Sequence, residues 1–98
     1  MNDVACCDIH RVLELTESMH EAASESRWDE MTSLEAERDT VLHAGPMRQA
    51  PETVEALKSI MLLDTLITDL VSAARDEAAA AWDAHRRSRQ AVAAYSSL

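Results

Sequence analysis

From Leu57 to Tyr95 the chain contains neither glycine nor proline. Within that stretch Leu57, Ile60, Asp64, Ile67, Val71, Ala74, Ala78, Ala81, His85, Ser88, Val92 and Tyr95 recur at alternating steps of three and four. A heptad seam this long specifies one helix with a side made for packing. Pro51 suits a first helical turn and Glu52 favours its positive end, so the helix is predicted over about 51–96. It would rise about 68 Å at 1.5 Å per residue.

The rest of the chain has to be arranged along that rod. Ala5, Ile9, Val12, Thr16, Met19 and Ala23 repeat at helical spacing, with Leu13, Leu15 and Ala22 widening the stripe, and predict a first helix over about 3–23. Ser24-Glu25-Ser26 interrupts it. Ser26, followed three residues later by Asp29, resembles a capping box that opens a second helix over about 27–43. That helix carries Trp28, Met31, Leu34, Val41 and Leu42. It stops at Gly45-Pro46, where glycine allows a left-handed cap and proline prevents continuation. The expected fold is all-α: one domain, 1–98, in which an antiparallel hairpin packs on a long C-terminal helix. Two helices of about 30 Å each cannot cover a rod of about 68 Å. Simple antiparallel counting sets Trp28 level with about residue 67, so the rod should overhang beyond about residue 70. The competing arrangement is a bend near Ser72 to Asp76 that folds the remainder back as a fourth helix.

Composition narrows the function. A net charge of −9 argues against nucleic acid, since phosphate binding draws on clustered Lys and Arg. The charge is uneven: residues 1–44 hold eleven acids and three bases, residues 45–98 seven acids and six bases, with Arg86, Arg87 and Arg89 following the last acid, Asp83. This polarity suits head-to-tail or crossed association, and equally a helix C-terminus that prefers cations. The longest apolar run, Ile60-Met61-Leu62-Leu63, is far short of the roughly 20 residues that span a bilayer, so no membrane insertion is expected. The start, Met1 to Ala5, lacks the basic and apolar stretches of a secretory signal, and Cys6-Cys7 reads as two reduced thiols, so a cytoplasmic location is expected. No glycine-rich phosphate loop, nucleophile elbow or paired acids with a pocket is present. Neither an enzyme nor a cofactor is expected. Cys6 and His10 stand at a spacing that could share a metal on a helix, but structural zinc sites draw four ligands from two segments and no second cluster exists, so no metal is expected.

The seam changes character along its length. Leucine, isoleucine and methionine dominate Ile60 to Leu70, whereas Ala73, Ala74 and Ala78 to Ala81 form a thin surface that a second helix can approach closely. At about 25 cal/mol per Å² such a surface supports conditional binding rather than a permanent core. Trp82 and Tyr95 add the large aromatic area that interfaces concentrate into hot spots. The expected partner-binding residues are therefore Ile67, Leu70, Val71, Ala74, Ala78, Ala81, Trp82, Val92 and Tyr95, with homo-oligomerisation expected through the C-terminal half of helix 3. Structural roles fall to Trp28, Glu35, Arg38 and Asp64. A carboxylate inside a seam needs a partner. Arg38 is the candidate for Asp64 although counting places it nearer residue 57, and Arg11 and Lys58 are the alternatives. Asp64→Leu would then raise stability or alter the oligomeric state.

Two stretches resemble a known family. Trp28-Asp29 after a helix break, followed by Leu34-Glu35 and Arg38 through Val41-Leu42, is similar to the FliT-like flagellar export chaperones. So is Leu63-Asp64, Ile67, Leu70 and Arg75, ending in Gln90-Ala91-Val92-Ala93-Ala94-Tyr95. The resemblance implies a small helical chaperone of type III export that binds the helical C-terminal segment of the filament-cap protein and prevents its premature assembly. It also implies contact of some members with the export ATPase complex or a transcriptional regulator. The chain stops at Leu98, just after the tyrosine, which puts any role of a C-terminal extension in doubt. The alternative is a structural self-associating coiled coil with no export client.

Overall fold

Asp8 opens the first helix: its Oδ1 accepts a hydrogen bond from the Arg11 backbone N–H at 3.2 Å, and α1 runs from Ile9 to Ser24. The computed structural model describes residues 6–97, so the expected start at Asp3 and Ala5 lies outside the described residues. Residues 6–8 are not helical. The Cys7 N–H donates to the Pro46 carbonyl at 3.0 Å, and Cys7 pairs with Met47 in an isolated parallel bridge. Cys6 and Cys7 therefore precede the helix that carries His10, which removes the single helical turn on which a shared metal depended. Cys6 is exposed and Cys7 is buried.

The α1 stripe is buried as its spacing predicts: Ile9, Val12, Leu15, Thr16, Met19, Ala22 and Ala23. The helix ends on Ser26, whose φ of 58° is left-handed. Ser26 N–H donates to Ala23 and Arg27 N–H to Ala22, at 3.1 and 2.8 Å. Those two bonds satisfy the last carbonyls in the manner of a Schellman motif. Ser26 is thus the closing residue of α1 and not the expected cap of the next helix. No side chain caps α2 (Trp28–Leu42), whose preceding residue is Arg27. Gly45 does not take the left-handed role assigned to it, for no glycine has positive φ among the described residues. Because a side chain in that conformation carries a steric cost, Ser26→Gly is expected to stabilise the protein by about 0.5–1 kcal/mol. At about 4–8 °C per kcal/mol the melting temperature should rise by several degrees, measured by circular dichroism. An unchanged or lower value would show that the serine has a compensating contact.

The third helix, α3, runs unbroken from Pro51 to Ser96, with Pro51 in its first turn. Among the described residues no fourth helix forms. The molecule measures 82 × 22 × 17 Å, too narrow for a rod folded back at residues 72–76. α1 is the middle helix: it packs on α2 along one side and on α3 along the other, while no Cα of α2 comes within 8 Å of one in α3. Ile9 and Val12 cluster with Cys7, Ala56 and Ile60, so α1 and α3 run parallel, with α2 antiparallel to both. Leu13, Val41 and Leu57 flank this cluster.

The register differs from simple counting. Arg38 meets Asp64 and not the level of residue 57. The connection between α2 and α3 crosses the start of α1, where Cys7 holds it, so α3 begins beyond the end of α2. Ten residues before Arg38, Trp28 is then level with about residue 74 instead of 67. The burial pattern agrees: Ile67 is buried, Val71 and Ala74 are half-buried, and from residue 75 the described chain is exposed except for the half-buried Asp83.

Candidate partner-binding surface

Since α1 separates the other two helices, α2 needs another link to α3, and Arg38 supplies it. Its Nη1 donates to Asp64 Oδ1 at 2.6 Å and to Thr16 Oγ1 at 3.2 Å. Thr16 is wholly buried and donates in turn to the Val12 carbonyl at 2.7 Å. One guanidinium therefore touches all three helices. Neither alternative partner competes for Asp64: Lys58 pairs with Glu55, and Arg11 with Glu37 and Glu14. The hydrogen bond that Arg11 donates to the Glu37 carboxylate, first among its influences, holds the Arg11 guanidinium above its ordinary pKa.

The Arg38 and Asp64 side chains are 17% and 43% exposed, which moderates their pairing. The network revises the expectation for Asp64→Leu. Removing the carboxylate leaves Arg38 without its counter-charge, and a loss of about 1 kcal/mol is expected in urea unfolding. Arg38→Met combined with Asp64→Leu should recover most of it. A single Asp64→Leu that stabilises the protein would show that the pair fixes register at a net cost.

Between α2 and α3 lies an open groove of about 640 Å³. Met19, Met31, Ile67 and Val71 supply its apolar surface, and Glu35, Arg38, Arg75 and Asp76 bring charges of both signs to it. Methionines adapt to varied apolar surfaces, and a rim of mixed sign suits an amphipathic helix. Trp28 is half-buried beside the level of Ala74. Glu35 stands exposed on the rim.

The expected binding residues divide into groups. Ile67 and Val71 line the groove, whereas Leu70 is half-buried away from it. Ala74 is half-buried where the hairpin ends, and Ala78 and Ala81 are exposed beyond it. Trp82, Val92 and Tyr95 are 64%, 63% and 82% exposed. The Trp82 ring lies 6.1 Å from that of His85, one turn further along the overhang. Among the described residues no cluster of three or more His, Cys, Asp or Glu could hold a metal ion, and no helix is long and apolar enough to cross a membrane.

A family model, that of the flagellar protein FliT, matches residues 8–97. The chain belongs to the FliT family. No curated protein and no solved structure matches it. The match takes in α1, α2 and α3, so the groove and the overhang both lie within the FliT-like region.

Sequence reasoning missed Thr16 as the relay for Arg38 and Met19 as groove lining, because both sit in the α1 stripe and read there as ordinary core. It also missed Met61, Leu62 and Leu66, which are exposed on the outer side of α3. Their signal was available: they fall off the seam in the very segment whose apolar content was assigned to a thick core.

Proposed function

We propose that this FliT-family chain is a flagellar export chaperone that binds a helical C-terminal segment of the filament-cap protein in the cytoplasm and prevents its premature assembly. Membership of the family supports a general role as a flagellar chaperone. The observation that carries the client reading is the groove beside Ile67 and Val71, which opens at the level where α3 leaves the hairpin and presents Ala78, Ala81 and Trp82 uncovered. An amphipathic helix laid in the groove would continue along the overhang. Small residues there allow close approach but contribute little area, which suits a client that must be released. Contact with the export ATPase complex belongs to the same reading, as does homo-oligomerisation through the C-terminal half of α3.

The alternative, a structural self-associating coiled coil without a client, draws on the heptads of the same overhang. Titration calorimetry with a peptide of the cap protein's C-terminal segment separates the two. A dissociation constant of tens of micromolar or tighter, roughly −6 kcal/mol, is expected together with loss of any self-association. Absence of heat at that concentration would sink the client reading and leave the coil.

A further inference from the structure

With Arg38 set against Asp64, antiparallel counting brings Met31 on α2 level with Val71 on α3. Glu35 stands one turn from Met31, and Arg75 one turn from Val71. Because the two helices run in opposite directions, these charges lie on either side of that apolar level, about 12 Å apart along the groove. Both are exposed and both line the groove. Neither has an ion-pair partner among the described residues. The sequence explains why. Arg75 has Val71, Ser72, Ala78 and Ala79 at helical ion-pair spacing, none of them acidic. Glu35 has Arg38 three residues on, but Arg38 is held by Asp64 and Thr16. Of the other charges in the lining, Arg38 and Asp64 offset one another, and Asp76 falls about 180° around α3 from the buried Ile67, on the outer lip.

We propose that the groove selects a helix whose apolar face is flanked by one basic and one acidic residue seven positions apart, the base reaching Glu35 and the acid reaching Arg75. Residues seven apart share a helix face and are separated by about 10.5 Å, within a side chain's reach of the spacing of the two charges. An apolar stripe between them covers Met31 and Val71. The inference rests on the reading of the groove as a helix site and adds the charge pattern of its occupant. That pattern runs against the field of the whole protein. With a net charge of −9, unspecific attraction would rank helices by how basic they are. Arg75 reverses the ranking at one end, since a second base on the helix would oppose it. The order of base and acid along the occupant is free, because α2 and α3 are antiparallel and their dipoles offset one another.

Fluorescence anisotropy on the intact chain tests it with three labelled helical peptides. They share one apolar face and differ only at two flanking positions seven apart, which carry lysine and glutamate, two lysines, or two glutamates. The mixed peptide is expected to bind tightest, by about fivefold over either like-charged one, the upper range for an exposed ion pair. Glu35→Lys should move the preference to the two-glutamate peptide, and Arg75→Glu to the two-lysine peptide. Both positions are exposed, so circular dichroism should match the unaltered chain. Val71→Glu should abolish binding of all three. Tightest binding of a like-charged peptide by the unaltered chain, equal affinity for the three, or a preference that neither reversal moves would overturn the inference and leave the groove reading intact. Binding that survives Val71→Glu, or no binding of any peptide, would overturn the inference together with the groove reading.

Discussion

Met19→Ala is expected to destabilise the protein by about 2–5 kcal/mol, the range for removing a large apolar side chain from a packed core. Met19 is 1% exposed and lies where α1 meets both neighbours, with its edge contributing to the groove. A domain this small has a stability of roughly 5–15 kcal/mol, so the substitution would remove a large fraction of it. At about 4–8 °C per kcal/mol the melting temperature should fall by about 10 °C or more. Met61→Ala is the matching control. Met61 is 67% exposed on α3, and its loss should stay within about 0.5 kcal/mol. Urea unfolding of the two variants at one protein concentration makes the comparison. Equal effects would mean that α1 is not the organising helix.

Trp82→Ala is expected to leave the fold unchanged and to weaken binding of the cap-protein peptide by about 30-fold, the effect of losing a hot-spot side chain worth about 2 kcal/mol. The two consequences separate because Trp82 lies beyond the hairpin and is 64% exposed, with the His85 ring as its neighbour. Alanine is also the better helix former, so helicity should not fall. Calorimetric titration of the same peptide into both proteins reads the effect. If affinity is kept while Val71→Glu abolishes it, the client stops at the groove and the overhang serves another purpose.

Ser26, Gly45 and Arg38 mark where sequence reasoning reached its limit. Glycine is the residue that takes a left-handed conformation at least cost, so Gly45 was the natural site for a helix cap and Ser26 the natural side-chain cap. Ser26 instead takes the left-handed conformation, Gly45 does not, and no side chain caps α2, because the turn after α1 must be tight enough to return α2 along it, while the passage to α3 is long. Arg38 was a candidate for Asp64 on chemical grounds alone. Its actual reach depends on α1 lying between the two helices and on the shifted start of α3, neither of which leaves a mark in local spacing.

Periodicity and punctuation were sufficient for the all-α class, the three helices, the buried stripe of α1 and the length of α3, because backbone geometry converts spacing directly into faces and rise. The overhang followed from arithmetic on those lengths. Which helix stands in the middle, how α2 is set against α3, and therefore where the groove opens were decided only in three dimensions. Those features depend on competition among several apolar stripes for a single core, and α1 won both sides because its stripe alone is broad enough to be buried against two neighbours.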